Sequence, residues 1–419
     1  MRVHPASDFA VKNGIVLVDD VTKLIMRNAH CGSAFLDTEA YKQGVAQGLL
    51  PSFRVANAEE LGALDASLRA RLERAQLPNY VVEYVSFVTR PDEWCALQLI
   101  EALRAVVALQ SLLLADDYHL RYPHVFNVTL TSRGMQYIDV GDIRNGVQPN
   151  VQILLGGIVD ALEDPLLNLA TRLTNVKEML SRMKSTLRAT REPLKACTLF
   201  SECLEAMRPV HAHGSWSDYK GAPTLPTRET LLALRSMQHA KSESVYDVLV
   251  EKRPSSVVDL GCHLGFYTHV AALNGARAIG VDLCEDVIAA AHTHNKALSH
   301  DCRFVVGNLL KKPTALGKEG SYETMDKRLK ADGVIVAAVT HHLYRAGMDW
   351  SAQAQRLAPF AREWLLVEFI PSTDQHIRGW GLGGAYNEAA FSEAFLQHFS
   401  SARELPSYPS PRKWFLFSK

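Results

Sequence analysis

One stretch of twelve residues constrains this chain more than any other: Val257-Val258-Asp259-Leu260-Gly261-Cys262-His263-Leu264-Gly265-Phe266-Tyr267-Thr268. It reads as a buried apolar strand ending on an acid, a turn bearing Gly261 and Gly265, and the first turns of a helix. A second apolar run, residues 278–282, closes on another acid, Asp282, fourteen residues beyond Thr268. Strand, glycine turn, helix, strand and terminal acid make a βαβ unit that binds an adenosine-containing cofactor. The glycines let the backbone pass close to a ligand, and the second acid accepts hydrogen bonds from both ribose hydroxyls.

The rest of the chain is organised around that unit. At 419 residues it exceeds the usual size of one hydrophobic core, so two domains are expected. In the first half, residues 14–20 and 23–27 pattern as a hairpin, residues 58–76 as a helix and residues 81–89 as a strand. A long apolar helix follows Pro91; it carries Glu101, Arg104 and two glutamines, so it is expected to be a buried helix and not a membrane span. Residues 125–129 and 135–140 pattern as short strands. Residues 151–207 are helical in period, and seven basic residues between Arg172 and Lys195 read as a solvated helix face. The passage Pro209-Val210-His211-Ala212-His213-Gly214-Ser215 reads as the join, dividing an α+β accessory domain with a helical second part (1–210) from a cofactor-binding domain (211–419).

Beyond the join, helices are expected at 227–237, 242–252, 285–298 and 388–399. They alternate with strands ending at Asp259 and covering 278–282, 303–306, 333–339, 364–369 and 413–417. Such alternation implies an α/β fold with a mainly parallel sheet covered on both faces, whose ligands sit at the carboxyl ends of the strands.

The turn also discriminates between cofactors. A nicotinamide or flavin site would carry G-x-G-x-x-G after the first strand, whereas here Gly261-Cys262-His263-Leu264-Gly265 has no third glycine and follows an acid. An acid there helps position the ammonium of an amino-acid moiety, which favours S-adenosylmethionine. At these residues the chain resembles the class I S-adenosylmethionine-dependent methyltransferases, with their Rossmann-like domain. The resemblance implies that Gly261 and Gly265 lie against the cofactor, that Asp282 holds the ribose, and that Asn308 and Leu309 lie by the adenine. The family more often has an acid where Asn308 stands. For His263, which replaces a small or amide residue, a turn histidine and a contact to the methionine carboxylate are both open readings.

A narrower resemblance rests on Val339-Thr340-His341-His342-Leu343, Leu366-Val367-Glu368-Phe369-Ile370-Pro371, Trp216-x-x-Tyr219 and the amino-terminal half. It is to a bacterial subgroup with an accessory, degenerate kinase-like amino-terminal domain. The kinase-like echo is His124-Val125-Phe126-Asn127-Val128 with Tyr137-Ile138-Asp139-Val140-Gly141-Asp142. Tyr122 stands where a kinase has its catalytic acid and no Gly-rich phosphate loop precedes it, so Asn127 and Asp139 read as turn and strand-end residues.

If the fourth and fifth strands end at His341-His342 and Glu368, these residues face the acceptor. Neighbours on a strand point opposite ways, so His342 is the candidate base or acceptor-orienting group while His341 lines the cofactor pocket. Glu368 either holds a substrate ammonium or hydroxyl or makes a structural hydrogen bond. Trp216 and Tyr219 either form a lid, with Tyr219 on the cofactor and Trp216 on the acceptor, or pack the join. Trp380 and Tyr386, in a segment with four glycines, are expected in a substrate loop.

With 45 basic and 45 acidic residues, a nucleic-acid partner held by bulk electrostatics is disfavoured. Seven scattered cysteines and no secretory leader fit a cytoplasmic protein with reduced thiols. No Cys/His group has zinc-ligand spacing, so no metal is expected. The expectation is a methyltransferase acting on a small-molecule acceptor, the amino-terminal domain forming part of the acceptor pocket or a homodimer contact. The alternatives are a cyclase or aminocarboxypropyl transferase releasing methylthioadenosine from the same cofactor, and a non-catalytic cofactor-binding scaffold.

Overall fold

Alternating β-branched and aliphatic runs separated by glycine turns give this chain sixteen described strands, seven of them in one sheet. The computed structural model describes residues 2–4, 16–19, 24–74, 76–85, 87–146, 150–210, 240–298, 300–312, 314–315 and 323–419. The chain divides into two compact units, Met1–His211 with Ala315–Tyr322, and Ala212–Thr314 with Glu323–Lys419.

The first unit holds an antiparallel sheet of β1 (Arg2–His4), β2 (Val16–Asp19), β3 (Leu24–Asn28), β4 (Phe53–Val55) and β5 (Asn79–Val82) in the order β1-β2-β3-β5-β4. Two smaller pairings join β6 (Tyr118–Leu120) to β9 (Ile143–Asn145) and β7 (Val128–Thr131) to β8 (Gly134–Tyr137). The helix Ala96–Ala115 is apolar on nearly all faces and long enough to cross a membrane. It packs against helix Pro193–Ala206 and strands β6 and β8, leaving Leu99, Val106, Leu109 and Leu113 without exposure. The helix expected over 58–76 is two, Ala58–Gly62 and Ala66–Arg74, and the strand expected over 81–89 ends at Val82. The kinase-like residues make internal bonds. The Asn127 amide donates to the Tyr137 hydroxyl at 2.9 Å, and Asp139 pairs with Arg27 at 2.5 Å.

The second unit is a Rossmann-like α/β layer. Its sheet runs in the order β12-β11-β10-β13-β14-β16-β15. β10 (Ser256–Leu260), β11 (Arg277–Asp282), β12 (Cys302–Val306), β13 (Ala331–Val336) and β14 (Ala361–Phe369) are parallel. β16 (Lys413–Ser418) runs antiparallel to β14, and β15 (Ser401–Pro406) antiparallel to β16. Val257, Val258, Ile279, Phe304, Val334, Ile335, Leu365 and Leu366 are fully buried, as strands covered on both faces require. The chain proceeds from β10 to β11 and β12 on one side, then returns to β13 and β14 on the other. The crevice outside β10 and β13 is therefore the topological switch point, where such sheets bind ligands.

Candidate functional site

A cavity of about 610 Å³ opens at that switch point, and the described residues lining it all belong to the second unit. Strand order lays out its wall. Gly307 to Leu310 follow β12, Asp282 ends β11 and Leu283 follows it, Gly261 to His263 follow β10, Ala337 to Val339 follow β13, and Ile370 follows β14. Of the residues singled out in the sequence, Asp259, Gly261, His263, Asp282, Asn308, Leu309, His341 and His342 share this one cavity.

The turn after β10 is shaped by two glycines with different duties. Gly261 has φ +78°, and a Cβ there would lie 2.2 Å from Cγ2 of Val339. Gly265, at φ +83°, caps helix Phe266–Leu273, and its Cβ would lie 2.2 Å from the Phe304 ring. Gly265 is not among the residues lining the cavity, and the space that a side chain there would need is filled by the Phe304 ring. His263 adopts the left-handed conformation, φ 51°, and donates its backbone N–H to Oδ2 of Asp282 at 2.9 Å. The Cys284 N–H donates to Oδ1 at 2.9 Å. Both oxygens are thus aimed by backbone, and each keeps a lone pair for a ribose hydroxyl.

Asp259 is 1% exposed. Its Oδ2 accepts from the Thr268 hydroxyl at 2.8 Å, while its Oδ1 is buried without a hydrogen-bond partner. Burial pushes its pKa up to about 7, partly opposed by the Thr268 bond. An orphaned buried carboxylate oxygen on the wall of a cavity fits a ligand ammonium, which would supply both charge and donor.

The two histidines are not at a strand end, because β13 stops at Val336 and Thr340–Arg345 is a short helix. Successive helical side chains diverge by about 100°, not 180°, so both can face one cavity. Their ring centroids are 4.0 Å apart, and Trp380 lies over both, 5.4 Å from His341 and 5.3 Å from His342. The Arg345 guanidinium stands 4.4 Å from the Trp380 centroid. Burial, with help from neighbouring His342, lowers the His341 pKa to about 3; burial and Arg345 lower that of His342 to about 4. Nδ1 of His341 is buried with no partner.

Glu368, Trp380 and Tyr386 are not among the residues lining the cavity; Trp380 packs behind the two histidine rings. Glu368 is fully buried; its Oε2 pairs with Lys241 Nζ at 2.7 Å and its Oε1 accepts from the Ser407 hydroxyl at 2.6 Å. Both oxygens are engaged beneath the site, so the expectation of a substrate-facing carboxylate is corrected to a structural ion pair. Tyr386 is 3% exposed, stacks among Trp350, Phe369 and Tyr344, and donates to the Ile370 carbonyl at 2.6 Å. It belongs to the aromatic core and not to a mobile substrate loop. Trp216, Tyr219 and the helix expected over 227–237 lie outside the described residues.

Other wall residues had no signature in the sequence. Lys241, on helix Ala240–Lys252, brings an ammonium to the cavity beside Glu368. Arg412 also lines it, its guanidinium held by Asp374 at 2.8 and 3.1 Å. Both come from segments whose distance in sequence from the glycine turn hid them. Phe266 and Tyr267, by contrast, were adjacent to the turn and could have been named.

Residues 258–358 match the family described as "Methyltransferase domain". The nodulation protein NoeA of Rhizobium meliloti (strain 1021) is 28% identical over 168 residues, covering 38% of this chain. The match spans only 34% of that protein's length. Among solved structures, the magnesium protoporphyrin IX methyltransferase ChlM of Synechocystis PCC 6803 with bound SAH is similar at 20% identity, over 42% of this chain and 81% of that one, with a TM-score of 0.30. The bifunctional kinase-methyltransferase WbdD is similar at 22% identity, over 42% of this chain and 38% of that one, with a TM-score of 0.32.

Proposed function

We propose that the chain is a class I S-adenosylmethionine-dependent methyltransferase, with S-adenosylmethionine as its cofactor, that methylates a small-molecule acceptor held between the cofactor and the His341–His342 pair; the match of residues 258–358 to the methyltransferase-domain family supports this reading. The observation that carries this reading is the continuity of one cavity from Asp282, past the orphaned Oδ1 of Asp259, to His342 under Trp380. In this reading Asp282 holds the ribose, Asp259 takes the ammonium, and Asn308 and Leu309 flank the adenine. The Lys241 ammonium suits the methionine carboxylate.

The cofactor supplies an electrophilic methyl group, so alignment of the acceptor is the main task left to the protein. With a pKa of about 4, His342 is uncharged at neutral pH and a weak base. Its work is therefore to accept a hydrogen bond from an acceptor O–H or N–H and so orient it, rather than to remove the proton. Trp380 packs against both histidine rings and fixes their direction. A volume of about 610 Å³ lies within the range of roughly 300–1,000 Å³ for small-molecule sites, and the balanced charge supports a compact acceptor over a nucleic acid.

The test is to incubate the full-length chain with S-adenosylmethionine and a panel of hydroxyl-, amine- and thiol-bearing small molecules and to resolve the nucleoside products. S-adenosylhomocysteine formed only when an acceptor is present is expected. His342→Ala should slow its formation about 10- to 100-fold with cofactor affinity retained. Methylthioadenosine would instead indicate cyclisation or aminocarboxypropyl transfer, and cofactor binding with no product from any acceptor would indicate a scaffold.

A further inference from the structure

At the far end of the same sheet, away from the cavity, three potential ligand atoms converge. His269 lies on helix Phe266–Leu273, Cys302 is the first residue of β12, and His300 immediately precedes that strand. Nδ1 of His269 is 3.1 Å from Nδ1 of His300 and 3.6 Å from Sγ of Cys302, and all three atoms lie within 4.8 Å of one another. His269 and Cys302 are buried, and His300 is half-buried. None of the three lines the cofactor cavity, whose nearest residues on this strand follow its opposite, carboxyl end.

We propose that His269, His300 and Cys302 form a structural zinc site. Two imidazole nitrogens at this distance repel if both present lone pairs and clash if both present protons. A single shared proton satisfies that edge and leaves the thiol only the Thr268 carbonyl at 3.7 Å, whereas one cation engages all three atoms together. The two spacings from His269 suit a tetrahedron, since Zn–N of about 2.0–2.1 Å and Zn–S of about 2.3 Å place ligand nitrogens ~3.3 Å apart and nitrogen and sulfur ~3.6 Å apart; the His300–Cys302 spacing is within 4.8 Å. Two imidazoles and a thiol contain no oxygen donor, which selects a borderline-soft ion over calcium or magnesium. Binding sends the Cys302 thiol proton to solvent, and the thiolate becomes the third ligand. The fourth position falls to water or to His294, whose ring centroid is 5.9 Å from that of His269.

The ligands are separated as His269…His300-x-Cys302, which resembles no short zinc spacing. That is why the sequence led to the opposite expectation. The site joins the helix that carries the glycine turn to the edge strand β12, so the ion clamps the scaffold behind the cofactor without touching it.

The full-length chain, stripped with chelator, is titrated with Co²⁺ and then Zn²⁺. One Co²⁺ per chain, with a thiolate-to-cobalt charge-transfer band and tetrahedral d–d absorption that Zn²⁺ abolishes, is expected. Cys302→Ser should remove the charge-transfer band. His300→Ala, at a half-buried position, should weaken zinc binding at least ~10-fold while circular dichroism and S-adenosylmethionine binding are unchanged. Absence of the band in the unsubstituted chain at excess Co²⁺, or equal zinc affinity in His300→Ala, would overturn the proposal. Neither readout depends on methyl transfer, so its failure and failure of the functional reading are separable.

Discussion

Asp259, the penultimate residue of β10, lines the cavity with one oxygen on the Thr268 hydroxyl and the other buried without a hydrogen-bond partner. Its pKa, raised by burial to about 7, makes the apo-domain prefer the neutral acid. A raised carboxyl pKa means the folded state holds a proton that the unfolded chain has lost above pH ~4. This contribution to stability therefore declines as pH rises from ~4 through ~7. Cofactor binding has the opposite sign, because an ammonium selects the ionised form. Affinity for S-adenosylmethionine should fall up to about tenfold per unit as pH drops below 7, with proton release measurable by calorimetry in buffers of different ionisation enthalpy. Asp259→Asn should weaken binding and flatten that dependence between pH 5.5 and 7; an unflattened profile would assign the proton elsewhere. Glu368 predicts a different pattern. Removing one partner of its buried pair with Lys241 in Glu368→Gln should cost about 3 kcal/mol of stability, read by urea unfolding, with turnover per folded molecule changed less than tenfold. Were Glu368 a catalytic base, turnover would fall about 100-fold or more with little loss of stability.

At the scale of elements, the glycine turn is a junction between ligand and core. Gly265→Ala forces an L-residue into the left-handed region, about 1–2 kcal/mol, and presses its Cβ on Phe304. The expected result is a loss of at least ~2 kcal/mol in unfolding free energy, with nearly normal cofactor affinity in the molecules that remain folded. Lost affinity at unchanged stability would make Gly265 a ligand contact instead. The parallel strands were legible because burial on both faces demands continuous apolar runs, as in Val257-Val258 and Ala278-Ile279. Strand β15, Ser401–Pro406, was not, because it is an edge strand with nearly every side chain exposed and so lacks an apolar pattern. The helix bearing His341 and His342 was also hidden. Val339-Thr340 continues the β-branched texture of β13, and only the three-dimensional turn at Ala338, with φ +53°, ends the strand at Val336.

For the whole molecule, the part of the cavity wall built on the glycine turn and the neighbouring strand ends was legible in the sequence and the rest was not, for a physical reason. Asp259, Gly261, His263, Asp282, Asn308 and Leu309 lie within a few residues of strand ends whose pattern is local, whereas Lys241, Ile370, His376 and Arg412 join the same wall only through the order of strands in the sheet. Zinc-type ligands on a helix and an adjacent strand are illegible for the same reason. The central claim is that one cavity aligns S-adenosylmethionine with an acceptor beside His342. The most direct measurement is a crystal structure of the full-length chain with S-adenosylmethionine. The account predicts the ammonium within hydrogen-bonding distance of Asp259 Oδ1, the ribose hydroxyls on Asp282, and the sulfonium methyl directed to the space before His342. A cofactor bound outside this cavity, or a methyl group directed away from the histidine pair, would contradict it.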